Sequence, residues 1–323
     1  MYDIHDVTDW PRIGVEQMGT KRKFWCRHPQ GHHLCLFKFS RPHAGEDWSE
    51  KIAAEVATVL GIPHAEIELA ICSGSRGTIS RDFTNENTYG SLIHGNELLQ
   101  EHDPNYPQQG RNFRVAQHTL TRIFAVLNQP FIGLPDSFAA PPGVVSACAL
   151  FVGYLLLDAL ITNTDRHHEN WAILVRRGAD GSRWAELAPT YDHASSMGRE
   201  LTDERRSNKV KAEERRSDPR RPSRRDQTII GYLEKDEGRS RIFALENEPK
   251  PLHLMDVFRL AREHFPDAGE AWLDQLDSVR MQIFEQIVAN VPLQSMTQSA
   301  RDFCLRLLNL NRKALVSRTF QYD

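Results

Sequence analysis

The chain has 323 residues and a formal net charge of −3, which is ample material for a sizeable core and gives no global electrostatic pull toward nucleic acid or a membrane surface. Five cysteines, at positions 26, 35, 72, 148 and 304, form no C-x-x-C pair, so neither a disulfide framework nor a zinc knuckle is suggested and a reducing compartment is the natural reading. The opening run Met1-Tyr2-Asp3-Ile4-His5-Asp6 is acidic where a secretory signal would be basic and then apolar, which makes cytoplasmic residence the default expectation.

In chain order, residues 24–27 and 34–39 read as two strands joined by a turn at 28–31. Lys38 ends an apolar strand, and a lysine partly buried there needs an anionic partner. The next element offers one. Asp47-Trp48-Ser49-Glu50 opens a helix in which Trp48, Ile52, Val56, Val59 and Leu60 recur at helical spacing until Gly61-Ile62-Pro63 stops it. Glu50 lies among the small residues Ala53, Ala54 and Ala57, with Glu55 as the alternative partner. The plain alternative is that Lys38 and Glu50 are both solvated surface charges. Residues 67–70 and 78–83 read as two further strands. The tract 85–117, with Asp103-Pro104-Asn105-Tyr106-Pro107, is so rich in turn formers that it is expected to lie outside the core. Residues 144–161 are apolar almost all round. The segment is marginal for a membrane span, carries Asp158 near its end and runs into a polar stretch, so it is expected to be a buried core helix with no chemistry assigned to Asp158.

The most informative stretch follows. Thr162-Asn163-Thr164-Asp165-Arg166-His167-His168-Glu169-Asn170-Trp171 is succeeded by a strand at 171–175, a turn at 178–181, a returning strand at 182–187 and then Ala188-Pro189-Thr190-Tyr191-Asp192. Folding that hairpin returns Asp192 to Asn170. An Asp, an Asn five positions later and a further Asp supply a catalytic carboxylate and two Mg²⁺ ligands in phosphoryl transfer, which needs a proton acceptor and hard oxygen donors. The alternative is three caps, with Asp165 and Asn170 in turns and Asp192 starting a helix near Ala194. Arg166 either neutralises phosphate or braces the loop. For His167 a hydrogen bond to the loop that holds Asp165 is preferred over a transition-metal site, because no companion stands at zinc spacing.

From residue 199 to 226 repeated Arg pairs, among them Arg205-Arg206 and Arg215-Arg216, are broken by acids and two prolines. Such a run is expected to be a mobile, solvated linker, with docking of an acidic or tRNA-bearing partner as the alternative. From residue 252 onward the patterns are helical.

The combination of Asn163-Thr164-Asp165-Arg166-His167, Asn170 and Leu187-Ala188-Pro189-Thr190-Tyr191-Asp192 resembles the HipA-like serine/threonine kinases, over residues 14–315 and most strongly over 155–196. The phosphatidylinositol kinases share the Asp-Arg-His-x-x-Asn run but continue into Asp-Phe-Gly, where this chain has Asp192-His193-Ala194-Ser195. The HipA-like resemblance implies an α+β, two-lobed protein-kinase-like fold, with a smaller β-rich N-lobe over 1–83 and a mostly helical C-lobe over 84–323. It further implies ATP and Mg²⁺ as cofactors, Asp165 acting on the acceptor hydroxyl with Arg166 and His167 beside it, and Asn170 and Asp192 on the metal. Lys38 and its partner Glu50 would position the phosphates, and adenine would rest near Ser80 and Phe83. The loop holding Gly19, Thr20, Lys21 and Lys23 would cover the phosphates, and Thr20 is its only hydroxyl. The implied partners are a protein substrate with a serine or threonine acceptor and an antitoxin or regulatory protein, with no membrane span and no direct nucleic-acid binding. A small-molecule or lipid kinase and a nucleotide-binding pseudokinase scaffold are the competing readings.

Overall fold

The computed structural model describes the whole chain except residues 16–20, 32, 85–90, 108–114, 178–180, 217, 219, 221, 247 and 323. Six strands, β1 (Ile4–Asp6), β2 (Arg12–Val15), β3 (Lys23–Arg27), β4 (Leu34–Phe39), β5 (Ile67–Cys72) and β6 (Ser75–Arg81), form one sheet in the order β1-β5-β6-β4-β3-β2. Only the β1–β5 pairing is parallel within this sheet. The two-residue period of a strand decides its use. Phe24, Cys26, Cys35 and Phe37 point into a small core with Val7, Ala70, Cys72 and Ile79. The alternate residues Lys23 and Trp25 of β3, and Leu34, Leu36 and Lys38 of β4, line a cleft instead. Gly77 of β6 is a glycine of necessity, since a Cβ there would run into the backbone carbonyl of Lys38.

Helix α1 (Glu46–Val59) connects β4 to β5. Trp48, Ile52 and Val56 join the main core of the molecule, so α1 ties the six-stranded sheet to the helical part. A second sheet of β7 (Ser91–His94), β8 (Ile132–Gly133), β9 (Ala172–Arg177) and β10 (Arg183–Leu187) runs in the order β7-β9-β10-β8. The strands β9 and β10 form the expected antiparallel hairpin. Around it lie α2 (Gly95–His102), α3 (Leu120–Leu127), α4 (Ala147–Ile161), α5 (Asp203–Glu214), α6 (Ile229–Leu233), α7 (Leu254–His264), α8 (Pro266–Ser278), α9 (Met281–Ala289) and α10 (Gln298–Val316).

All fifteen residues of α4 are buried, as its unbroken apolar sequence requires. Among the described residues no helix is long and apolar enough to cross a membrane. The Ser146 hydroxyl caps its start by accepting from Ala149 N–H. Gly153 makes room for the Trp272 ring, which a Cβ there would meet, and the indole N–H donates to Ala149 O at 3.0 Å. The helix ends at Thr162, which takes the left-handed conformation at φ 56°. Asn311 of α10 holds that end, its Nδ2 donating to Leu160 O at 2.8 Å and to Thr162 Oγ1 at 2.9 Å, and Tyr322 donates to Asn311 Oδ1.

Two expectations are corrected. The tract 85–117 contains β7 and α2, and buries Leu98, Leu99, Tyr106 and Val115 in the main core. Its turn formers separate short apolar pairs, and His94 and Glu97 cap α2 reciprocally. The Arg-rich stretch contains α5, which packs along α10. Arg206 there is buried, with its guanidinium on Asp203 Oδ1 at 3.0 Å and Gly198 O at 3.0 Å, over the Trp48 ring. The charge count predicts solvation, but a long arginine stem packs while its head finds acceptors.

Candidate active site

A cleft of about 650 Å³ opens between the six-stranded sheet and the β9–β10 hairpin. Lys21, Lys23, Lys38, Ser80, Phe83, Asp165, His167, Asn170 and Asp192 all line it. Gly19 and Thr20 fall outside the described residues. Glu50 and Arg166 stand behind its wall, each nearly inaccessible to solvent.

The Lys38 ammonium lies 3.3 Å from Glu50 Oε1 and 3.3 Å from Asp192 Oδ1. Register explains part of this: Thr78 is directly opposite Lys38 in the β4–β6 ladder, and its hydroxyl donates to the other oxygen of Glu50. Glu55, the alternative partner, pairs with Lys51. Burial alone would pull Lys38 down, but Asp192 and Glu50 more than reverse it and hold the ammonium above its ordinary range. Burial likewise pushes Asp192 up, and Lys38, Lys21 and Lys23 together outweigh it, holding the carboxylate ionised. Asp192 takes φ 59°, a conformation uncommon outside glycine. No helix follows it: residues 193–202 are irregular, so the helix-cap alternative for Asp192 does not hold.

The loop that carries Asp165 is braced from inside. Arg166 donates through Nε and Nη2 to the two oxygens of Asp158, each at 2.8 Å, and through Nη1 to Asn170 O at 2.7 Å. Asn163 donates to the same Asp158 at 2.8 Å. The fork geometry is the strong form of this pair. Of the two roles open to Arg166, these contacts are those of the brace, and Arg166 is not among the residues that line the cleft. Asp158, to which the sequence reading gave no part, is the residue that makes the brace possible. A buried acid one turn before the end of an apolar helix, eight residues before an arginine, was the available signal.

Asn170 Nδ2 donates to Asp165 O at 2.8 Å, which leaves Oδ1 as the amide's acceptor. The His167 ring accepts at Nδ1 from Glu169 N–H at 3.2 Å, the backbone N–H of His167 donates to Asp165 O at 2.8 Å, and His167 lines the cleft. His168 points the other way into the core, where the Tyr106 hydroxyl meets its Nδ1 at 2.8 Å and burial pushes it down to about 4. Tyr191 donates to Glu169 O at 2.9 Å, and its hydroxyl lies 2.9 Å from His94 Nδ1, joining the segment before Asp192 to the Asp165 loop. Arg241, which nothing in the sequence singled out, places its Nε 3.4 Å from Asp165 Oδ1.

The donor set suits a hard divalent cation. Asp192 stays ionised and Asn170 offers a carbonyl oxygen. Among the described residues no group of three or more His, Cys, Asp or Glu side chains meets that could hold a metal ion.

A sheet with one tethering helix, a helical part and a cleft between them that holds a Lys–Glu pair and a carboxylate-bearing loop make a two-lobed, kinase-like fold. The chain belongs to the HipA-like C-terminal domain family, whose model matches residues 15–242. Among solved structures it is similar to the Helicobacter pylori proinflammatory kinase CtkA, at 18% identity and a TM-score of 0.72, with 98% of each chain covered. It also matches HipA in the Shewanella oneidensis MR-1 complex of HipA, HipB and operator DNA, at 11% identity and a TM-score of 0.47, over 95% of this chain and 65% of that one. No curated protein matches the sequence.

Proposed function

We propose that this chain is an ATP- and Mg²⁺-dependent kinase that transfers the γ-phosphoryl group to a serine or threonine hydroxyl of a protein. The observation that carries this is Lys38, held at 3.3 Å by Glu50 and at 3.3 Å by Asp192 in the cleft that also contains Asp165 and Asn170. Lys38 binds the α/β-phosphates, and Glu50 fixes its direction. Lys21 and Lys23 add point charges near the γ-phosphate. Asp165 orients the acceptor hydroxyl and takes its proton. Asn170 and Asp192 would hold Mg²⁺, which neutralises charge on the phosphates. The apolar wall of Leu34, Leu36, Phe83 and Leu92 receives adenine near Ser80. The division into lobes at residue 83, cytoplasmic residence and a regulatory partner of the antitoxin kind, suggested by family membership, belong to the same proposal.

Labelled ATP and Mg²⁺ with the purified protein and a cell extract test it. Protein bands that vanish in Asp165→Ala and Asp192→Asn support the reading. Label in lipid or small molecules alone transfers the assignment to a different kinase class, and bound ATP without transfer leaves a nucleotide-binding scaffold.

A further inference from the structure

Phosphoryl transfer places charge on the oxygens of the moving group, and proteins meet it with a preorganised cation. The Asp165 loop carries one arginine, and Arg166 is turned inward onto Asp158. The cation beside Asp165 arrives from 76 residues away: Arg241 lines the cleft, with Nε 3.4 Å from Asp165 Oδ1.

Its backbone is pinned by a relay that starts in the same loop. Trp171, the residue after Asn170, donates its indole N–H to His118 Nε2 at 3.2 Å. Nδ1 of His118 meets the Arg241 carbonyl oxygen at 3.0 Å, and Phe243 N–H returns to His118 O at 3.0 Å. His118 is buried, and burial pushes it down to about 3 despite the bond to Arg241. It is therefore neutral at physiological pH, with one ring nitrogen to donate and one to accept, which is the state the relay requires. The loop that presents Asp165 thus also sets the position of Arg241.

We propose that Arg241 is a catalytic residue that binds the transferring phosphoryl group and keeps Asp165 aligned with the acceptor hydroxyl, and that His118 is a positioning residue acting through the Arg241 backbone. The proposal rests on the kinase reading above. In the step, the hydroxyl oxygen forms a bond to the γ-phosphorus as the bond from phosphorus to the β,γ-bridging oxygen breaks. The electron pair of that bond leaves with ADP, the hydroxyl proton passes to Asp165, and Arg241 pairs with the equatorial oxygens.

The test compares wild type, Arg241→Met, Arg241→Lys and His118→Phe for transfer rate, affinity for MgADP, affinity for MgADP with aluminium fluoride, and thermal midpoint. Arg241→Met is expected to keep the midpoint and the MgADP affinity, to lower kcat about 100- to 1,000-fold, and to lose the extra affinity for the fluoride complex. Arg241→Lys should recover part of both, and His118→Phe should lower kcat with the KM for ATP unchanged. Should Arg241→Met melt early, Arg241→Gln supplies the same measurements. A wild-type or faster rate in Arg241→Met, or an unchanged preference for the fluoride complex, would overturn the proposal alone. Wild-type protein that transfers no phosphate to any acceptor would overturn the kinase reading and this proposal with it.

Discussion

Glu46 and Glu50 stand one turn apart on α1, and each carboxylate ties that helix to a different part of the cleft. Glu50 holds Lys38. Glu46 pairs with Arg199 at 2.6 Å, Arg41 at 3.1 Å and Lys21 at 3.5 Å. Between them, Ser49 donates to Ala194 O at 2.8 Å. The helix therefore holds the segment after Asp192 and Lys38 at once.

Glu46→Gln leaves three cations facing one another around a neutral amide. Loss of a buried carboxylate with this many partners is expected to lower stability by about 2 kcal/mol and to slow transfer, since Arg199 and Lys21 lose their common anchor. Denaturant midpoints and phosphate transfer check both. A variant as stable and as fast as wild type would show that the cluster is only surface charge.

Asp158 and Arg166 form a fully buried pair. Removing one partner strands a charge, so Arg166→Met should cost about 3–5 kcal/mol. Asp158→Leu combined with Arg166→Met should recover much of that loss in stability while leaving the Asp165 loop slack and transfer slow. Additive stability losses in the double-mutant cycle would argue against direct coupling.

Asp192→Asn should leave the fold in place and reduce transfer about 1,000-fold. Asp192 is partly exposed in the cleft rather than packed in the core, and Lys38 keeps Glu50. A circular dichroism melt close to wild type alongside the lost activity is the expected pair of results. Undiminished phosphorylation would remove Asp192 from the mechanism.

His118 gives a pH dependence of stability. Burial, aided by His168, His167 and Arg166, holds it at about 3, against an ordinary value of 6.5. With the folded value depressed, the unfolded chain binds the proton first as pH falls. Its contribution is complete above about pH 6.5 and declines below that by about 1.4 kcal/mol per pH unit. Urea midpoints at pH 7, 6 and 5, compared with His118→Phe, should show a slope that the variant lacks in part. Parallel curves for the two proteins would count against it.

Much of the site could be read from the chain because its parts are close in sequence or bound by strand geometry. Asp165 and Asn170 share one loop, a hairpin returns Asp192, and the alternation of β4 puts Lys38 on the cleft side. Glu50 required only the helix that follows. Arg241 had no such signal, since its place depends on a histidine from before α3 and a tryptophan from just before β9. The Arg-rich segment misled for a different reason. Its composition speaks for solvation, whereas Arg206 folds its stem against Trp48 and its charge onto backbone carbonyls. Asp158 is legible only as half of a pair: an acid near the end of an apolar helix gains its meaning from the arginine eight residues on.

The left-handed turn at Thr162 aims the Asp165 loop, yet the side chain that holds it, Asn311, is 149 residues further along. A ribosome making this protein therefore completes the Asp165 loop long before it makes the support for that loop. Nascent chains stopped short of residue 311 are expected to be silent in a phosphate-transfer assay, because the side chain that holds the Thr162 turn has not yet been made.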